Sequence, residues 1–478
     1  MSLFSNNLKR AIEECGVPVS EIAQRCGISA AMLYKIQNGT RVPDSMDTLG
    51  RMLDAMLCAL PVRRELVREY QVERIGEVRH QCFHELKEML ASLAKIQPLT
   101  AERQVYHALT FPSVITGTGN VNAVVHNLLE KETMRPGGSV QMMVPLHYMY
   151  CFECLSQLLA SCHPDFGQVT HLFCFRDTAT DDAMLFNMRA IRTVLPRMLT
   201  MAHYDPLYSY LPDPDNGAVP FPHHIITSAG VLLISSCFQN AIFLEAPAMR
   251  EKYLGEFTKI RRQFVPIMKG GSGGMEIYFH AFHNMAVSRP WHIAPTIIAP
   301  KPCVLPCLGR DITVTYLPQA MRDRQDLSEI IDLYFNDSSI GGYTTFFTLE
   351  GLMDLLETGV VMELVGDDVP RLSREHTVLA VERLLEWAKA GKLTMHIFRE
   401  DVFQGPSAFS LNLYETRLLT FCDIPTRQTV FADITEMTLA RTVRAYVDQA
   451  EILGDVFSAE ESISVAEQAL RRFQTGTL

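Results

Sequence analysis

Apolar residues near the start of the chain recur at helical spacing. Leu8, Ile12 and Cys15 step by four and then three, making one stripe that Gly16, Val17 and Pro18 interrupt. A second helix carries Ile22, Ala23 and Cys26. Gly27 closes it, a residue suited to the left-handed conformation just past a helix end. Ser29 is the expected N-cap of a third helix with Leu33 and Ile36 inside, ended by Asn38-Gly39. Pro43-Asp44 opens a fourth, with Asp44 as cap and Leu49, Leu53 and Leu57 on its inner face.

From Pro61 to Ile96 the pattern changes. Arg and Glu alternate through Arg63, Arg64, Glu65, Arg68, Glu69, Glu73, Arg74 and Glu77. Cys82, Leu86, Met89, Leu93 and Ile96 then form a coiled-coil-like seam. That seam suits either a helix packed on its own C-terminal region or a dimerisation helix.

Beyond residue 98 the pattern is mixed α/β, and one order of elements recurs. Val169 to Phe175 reads as a buried strand, Pro222 to Ser236 as a hairpin, Ala241 to Leu244 as a short strand. A helix with Met249, Tyr253, Phe257, Ile260 and Phe264 follows. Leu393 to Phe398, Phe409 to Phe421, Thr429 to Phe431 and a helix with Leu439, Val443 and Tyr446 repeat that order. Helices at Tyr148 to Leu159 and His376 to Ala390 precede the two first strands. Met249 and Tyr253 map onto Leu439 and Val443 at a constant offset of 190. Both a duplication and a chance recurrence of strand, hairpin and helix fit this order. Lys269 to Gly274 and the Pro-rich run from Pro290 to Pro306 bracket a boundary near residue 290.

Composition narrows the class. The 478 residues are 47% hydrophobic and 20% charged, a globular balance long enough for several domains. Twelve cysteines are too sparse for a disulfide scaffold, and Met1 to Val17 has no apolar signal core. A reduced, cytoplasmic chain that spans no membrane is expected. The net charge of −11 is uneven. Residues 1–97 hold 13 Lys and Arg against 12 acids, whereas the remainder holds 30 against 42. Any contact with DNA belongs to the N-terminal part.

Two helices that cross at a sharp angle need a small residue at the crossing and a glycine in the turn. Ala23 and Gly27 supply both, with Ile22, Cys26, Ile28, Leu33 and Ile36 around them. An ordinary four-helix bundle with a glycine turn is the plainer alternative. The stretch from Ser20 to Ser29, followed by Leu33 to Pro43, resembles the Cro/phage-repressor (XRE family) helix-turn-helix domain over about 55 residues. That resemblance implies a third helix lying in the major groove. It would make Ala30, Ala31, Tyr34 and Lys35 base-facing and put Ser29, Asn38, Thr40 and Arg41 near phosphates. Val19 and Ala30 depart from the family, which often has polar residues there. Residues 1–60 carry six basic and six acidic residues, so attraction to phosphate is modest and dimerisation on two half-sites would be needed.

Other constellations are weaker. His147, Cys151 and Cys154 would share one face of a predicted helix, with Cys162, His163, His171 and Cys174 downstream, but core cysteines explain that apolar face. Pro306 spoils the pair Cys303 and Cys307, and His280 and His283 lack a metalloprotease's glutamate. The strand-hairpin-helix layout is similar to lobes of the phospholipase D superfamily, whose catalysis needs a His and a Lys two residues apart. Here His223 and Ser410 stand without that lysine, which implies non-catalytic lobes.

The expected fold class is therefore multidomain. An all-α helix-turn-helix domain (5–60) leads into a linker or dimerisation helix (61–97), and α/β lobes follow over 98–290 and 291–478. The expected function is sequence-specific transcriptional regulation of double-stranded DNA by a homodimer that answers a small-molecule or protein effector. No catalytic residue, metal or cofactor is expected. The alternative is an assembly protein whose helix-turn-helix no longer reads DNA.

Overall fold

The computed structural model describes residues 2–96, 112–177, 180–211, 219–272, 295–317, 342–361 and 371–400. It also describes 319–322, 325 and 329, and 402–476 apart from 404, 406–407, 416 and 425–427. His280, His283 and the boundary near residue 290 lie outside the described residues.

Five helices open the chain: α1 (Leu3–Glu14), α2 (Val19–Cys26), α3 (Ala30–Gln37), α4 (Met46–Ala55) and α5 (Leu60–Ile75). Their stripes converge on one small core of Leu8, Ile22, Leu33, Ile36, Leu53 and Tyr70. Gly27 ends α2 at φ 68°, its N–H bonded back to the Ala23 carbonyl, and Ser29 caps α3 by accepting from the Met32 N–H at 3.1 Å. The fourth helix is capped by Ser45 rather than Asp44. Leu57 lies past its end with 80% of its surface exposed, so it is not a core position.

Next come α6 (Glu77–Ala94), β1 (Val114–Thr116), α7 (Thr118–Thr133), β2 (Val140–Met143), α8 (Met149–Leu159) and β3 (Val169–Arg176). They lead to α9 (Asp181–Met198), β4 (Tyr204–Leu211), β5 (His223–Thr227), β6 (Gly230–Ile234) and β7 (Asn240–Leu244). After α10 (Pro247–Arg261) stand β8 (Val265–Pro266), β9 (Met268–Ser272) and β10 (Thr296–Ile298). Helical turns at Leu305–Leu308 and Arg310–Tyr316 precede β11 (Thr344–Phe347), α11 (Leu349–Thr358), α12 (Arg374–Lys389) and β12 (Thr394–Ile397). The chain closes with β13 (Ala408–Tyr414), β14 (Arg417–Ile424), β15 (Gln428–Ile434), α13 (Met437–Val447) and α14 (Ala459–Thr475).

Two mixed sheets form. The first has eight strands in the order β1-β7-β6-β5-β2-β3-β4-β8, and the second has seven, β9-β15-β14-β13-β10-β11-β12. Strands β1 to β7 and β9 to β15 thus repeat one topology. In both halves a parallel trio (β2-β3-β4; β10-β11-β12) continues into an antiparallel hairpin and edge. This shifts the sequence correspondence by one unit. Val169 to Phe175 lies in β3, whose counterpart is β11, while the strand at 394–397 answers to β4. Likewise α9, not the helix at 149–159, occupies the place of α12 before the last parallel strand.

The expected fold class is corrected by this arrangement. In place of separate lobes joined by a linker helix, two mixed sheets share one large apolar cluster that also holds α6, while α11, α12 and α14 form a second cluster and the first five helices keep a small core of their own. Cys82, Leu86, Met89 and Leu93 of α6 pack in the same cluster as Met142 and Val169 of the first sheet and Phe409 and Leu411 of the second. The segment 61–97 breaks at Gly76 into α5 and α6. Its seam is spent inside the chain, against α9, α13 and β13, so it offers no free dimerisation stripe. Strand β9, which precedes residue 290 in the chain, pairs antiparallel with β15, which follows it. Side chains tie the halves together: Tyr210 donates to buried Glu436 at 2.5 Å and Asn187 Nδ2 to Thr438 Oγ1 at 3.1 Å. The N-terminal helices are also fixed to the body. Gln71 Nε2 donates to the Leu453 carbonyl at 2.8 Å, Arg399 pairs with Asp47 at 3.2 Å, and Met46 lies against Gly454.

Candidate nucleic-acid interface and an internal cavity

Helix α3 is anchored by Leu33 and Ile36 beneath it, and Ala23 and Cys26 of α2 lie buried in the same core. With the apolar side fixed, helical periodicity sends the other side outward. Ser29, Ala30, Ala31, Tyr34, Lys35, Asn38, Thr40 and Arg41 are all exposed. Tyr34 keeps 52% of its surface, unusual for a large aromatic side chain. Ser29 and Thr40 already have work: the first caps α3, and the second donates its hydroxyl to the Lys35 carbonyl at 3.0 Å. Thr40 is left to contact a ligand through its lone pairs, whereas Ser29 still has its O–H to donate.

The electrostatics are mixed. Arg41 pairs with Asp44 at 3.4 Å, and Arg25 pairs with Glu21 on α2. Lys35 has no acidic partner among the described residues. The body meets this unit through α4 and α5, on other faces, so the outward face of α3 stays exposed among the described residues.

The metal-like face does not assemble. Helix α8 begins at Met149, so His147 precedes it, whereas Cys151 and Cys154 turn into the core. Burial pushes the Cys154 thiol up to about 12, and its sulfur lies 3.3 Å from His126 Nδ1. His171 is enclosed in the core, with Nε2 2.7 Å from the Val144 carbonyl and Nδ1 2.6 Å from the Tyr204 hydroxyl. Nε2–H therefore donates to the carbonyl and Nδ1 accepts from Tyr204. Desolvation pushes this imidazole down to about 4. No group of three metal-binding side chains occurs among the described residues. Cys303 and Cys307 are buried core residues.

A cavity of about 470 Å³ lies where β2 and β3 end and β5 begins. Open sheets place ligands at the carboxyl edge of parallel strands, and this opening has that position. Met143, Leu146, Phe173, Phe186 and Leu211 make its apolar wall. Its polar members come from four elements: Glu85 on α6, Arg189 and Arg192 on α9, His147 after β2, and His223 at the head of β5. Glu85 is held by Arg192 at 2.9 Å and Arg189 at 3.4 Å, and only 12% of its side chain is exposed. Phe238, at φ 58°, supports the two histidines, its ring 5.6 Å from His147 and 5.5 Å from His223. Burial pushes the Cys174 thiol on the wall up to about 11.

Sequence reasoning missed the arginines and Glu85, because they lie a hundred residues apart. The one available signal was the spacing of Arg189 and Arg192, which share a helix face. At the position equivalent to His223, the second sheet has Ser410, bonded to Asn412 Nδ2 at 2.7 Å and buried.

No helix among the described residues is long and apolar enough to cross a membrane. No family model and no curated protein matches this chain. Among solved structures, it is similar to the crystal structure of phosphatidylserine synthase from Haemophilus influenzae Rd KW20. That match has 8% identity and a TM-score of 0.21, covering 83% of this chain and 98% of that one. At that score the likeness carries no argument about fold, activity or its absence.

Proposed function

We propose that this chain is a sequence-specific DNA-binding transcriptional regulator, acting as a homodimer, with α3 as the helix that enters the major groove. One observation carries the reading. All eight residues singled out for DNA contact are exposed on α3, its N-cap and the turn after it, while the body is attached through α4 and α5. A helix retired from recognition has no reason to stay uncovered with a half-exposed tyrosine on it.

Tyr34, Lys35, Ala30 and Ala31 would meet base edges and thymine methyls, and Ser29, Asn38, Thr40 and Arg41 the phosphates. The ion pairs Arg25–Glu21 and Arg41–Asp44 lower the cationic field, so one copy binds weakly and two copies on two half-sites bind well. The same pairs are what favours a second reading, an assembly protein that no longer reads DNA.

Selection of binding sites from random duplexes with the full chain separates the two. The regulator reading expects an enriched two-half-site sequence. Tyr34→Ala should relax its base preference, and Arg41→Ala should weaken all sequences alike, lowering the salt slope by about 1. No enrichment at low salt would sink it in favour of the assembly role.

A further inference from the structure

We propose that the cavity at the ends of β2 and β3 binds a small amphiphile with an apolar body and one acidic head, and that this head competes with Glu85 for Arg189 and Arg192. The regulatory consequence rests on the DNA-binding reading above; the binding itself does not.

The chemistry follows from what lines the space. Its size lies within the 300–1,000 Å³ usual for small-molecule sites. Met143, Phe173, Phe186 and Leu211 offer nothing to a hydrated ion, so an occupant must bring apolar surface. Two guanidinium groups face one carboxylate, which leaves an excess of positive charge at the lining. Arginine forks match carboxylate and phosphate oxygens in pairs, so the complementary head is one of those two. A cationic or neutral head would find the arginines already engaged by Glu85.

The competition has a direction through the fold. Glu85 belongs to α6, and Arg189 and Arg192 belong to α9. The polar seam between these helices continues through Arg189 to Gln81 at 3.2 Å and Arg79 to Asp181 at 3.3 Å. A ligand head that takes the arginines leaves Glu85 buried without its partners and weakens that seam. Helix α6 connects through Gly76 to α5, whose Leu66 and Tyr70 are part of the core beneath α3. The ligand thereby acts on the element that carries the reading helix, by differential contact with two arrangements of α6.

The test uses the full chain without DNA. Decanoate and decyl phosphate are titrated calorimetrically below their micelle concentrations, with decylamine as the cationic control. The expected result is saturable one-to-one binding of at least one acid, tenfold or more tighter than the amine; comparing the two acids identifies the head. Arg192→Gln should weaken the acid at least tenfold, and Glu85→Gln, which removes the competitor, should tighten it severalfold. Ala190→Trp, filling the cavity, should abolish binding; if that variant melts early, Thr193→Trp replaces it. Hydrogen exchange of the α6 amides from Gln81 to Leu90 should quicken at least threefold with the acid bound. No binding of either acid at 1 mM, equal binding of the amine, or binding that survives both tryptophan variants overturns the site. Unchanged α6 exchange overturns the coupling. Acid binding by a chain that selects no DNA site would count against the regulator reading and leave the cavity assignment standing.

Discussion

Acidification should destabilise this protein through His224, by an amount that one substitution removes. His224 sits on β5 facing α10, its ring 5.9 Å from Tyr253 and 6.1 Å from Phe257. Its Nε2 is buried without a hydrogen-bond partner. Desolvation pushes the imidazole from an ordinary 6.5 down to about 4. Between those values the unfolded chain holds a proton that the native chain refuses, so stability falls as pH drops through the window and levels off below about 4. At pH 5 the unfolded state has gained about 1.5 units of linkage, roughly 2 kcal/mol at 1.36 kcal/mol per unit. His224→Leu is nearly the same size, removes the orphaned nitrogen and has no proton to bind. Urea unfolding followed by circular dichroism at pH 7 and pH 5 should show the variant losing about 2 kcal/mol less than the parent. His171 is pushed down as well, but it is present in both proteins and cancels. Parallel losses in the two proteins would refute the reasoning, because His224 would then be as solvated in the fold as outside it.

Other consequences are as direct. Leu86→Ala, at the fully buried centre of α6, should cost about 3–5 kcal/mol of urea stability, whereas Leu57→Ala, on an exposed turn, should change it by less than about 0.5 kcal/mol. A Cβ on Gly351 would overlap the Pro300 carbonyl oxygen, so Gly351→Ala should lower the thermal midpoint sharply. Gly255→Ala, with open space inside α10, should raise stability by about 0.5–1 kcal/mol. Timed alkylation followed by peptide mapping should modify exposed Cys237 first, since hydrogen bonds from its surroundings favour its thiolate. Buried Cys151 and Cys154, whose thiols burial pushes up, should stay unmodified until the fold opens; early labelling there would contradict the packing.

The candidate site was legible where it is local. Ser29, Tyr34 and Lys35 could be placed on one outward face because Leu33 and Ile36 fix α3 by helical period, and eight consecutive residues settle that geometry. The cavity was not legible, since Glu85, His147, Arg189 and His223 meet only after β2, β3, α6 and α9 have packed. His147 shows the limit from the other side. Its spacing to Cys151 and Cys154 is helical, yet α8 starts two residues later and breaks the shared face.

Taken alone, the amino-acid order determined the helices at the amino end, the Gly27 turn, the hairpins that become β5-β6 and β13-β14, and a globular, cysteine-poor composition. Each depends on residues within a turn or two of one another. Only the tertiary structure decided that α6 is core and not linker, that β9 crosses into the second sheet, and that β1 to β7 match β9 to β15 strand for strand. The physical reason is that an apolar seam states that it must be covered, but not by what. Cys82, Leu86, Met89 and Leu93 would satisfy a partner copy as well as α9, α13 and β13, and the choice is made by whichever surface the rest of the chain brings within reach.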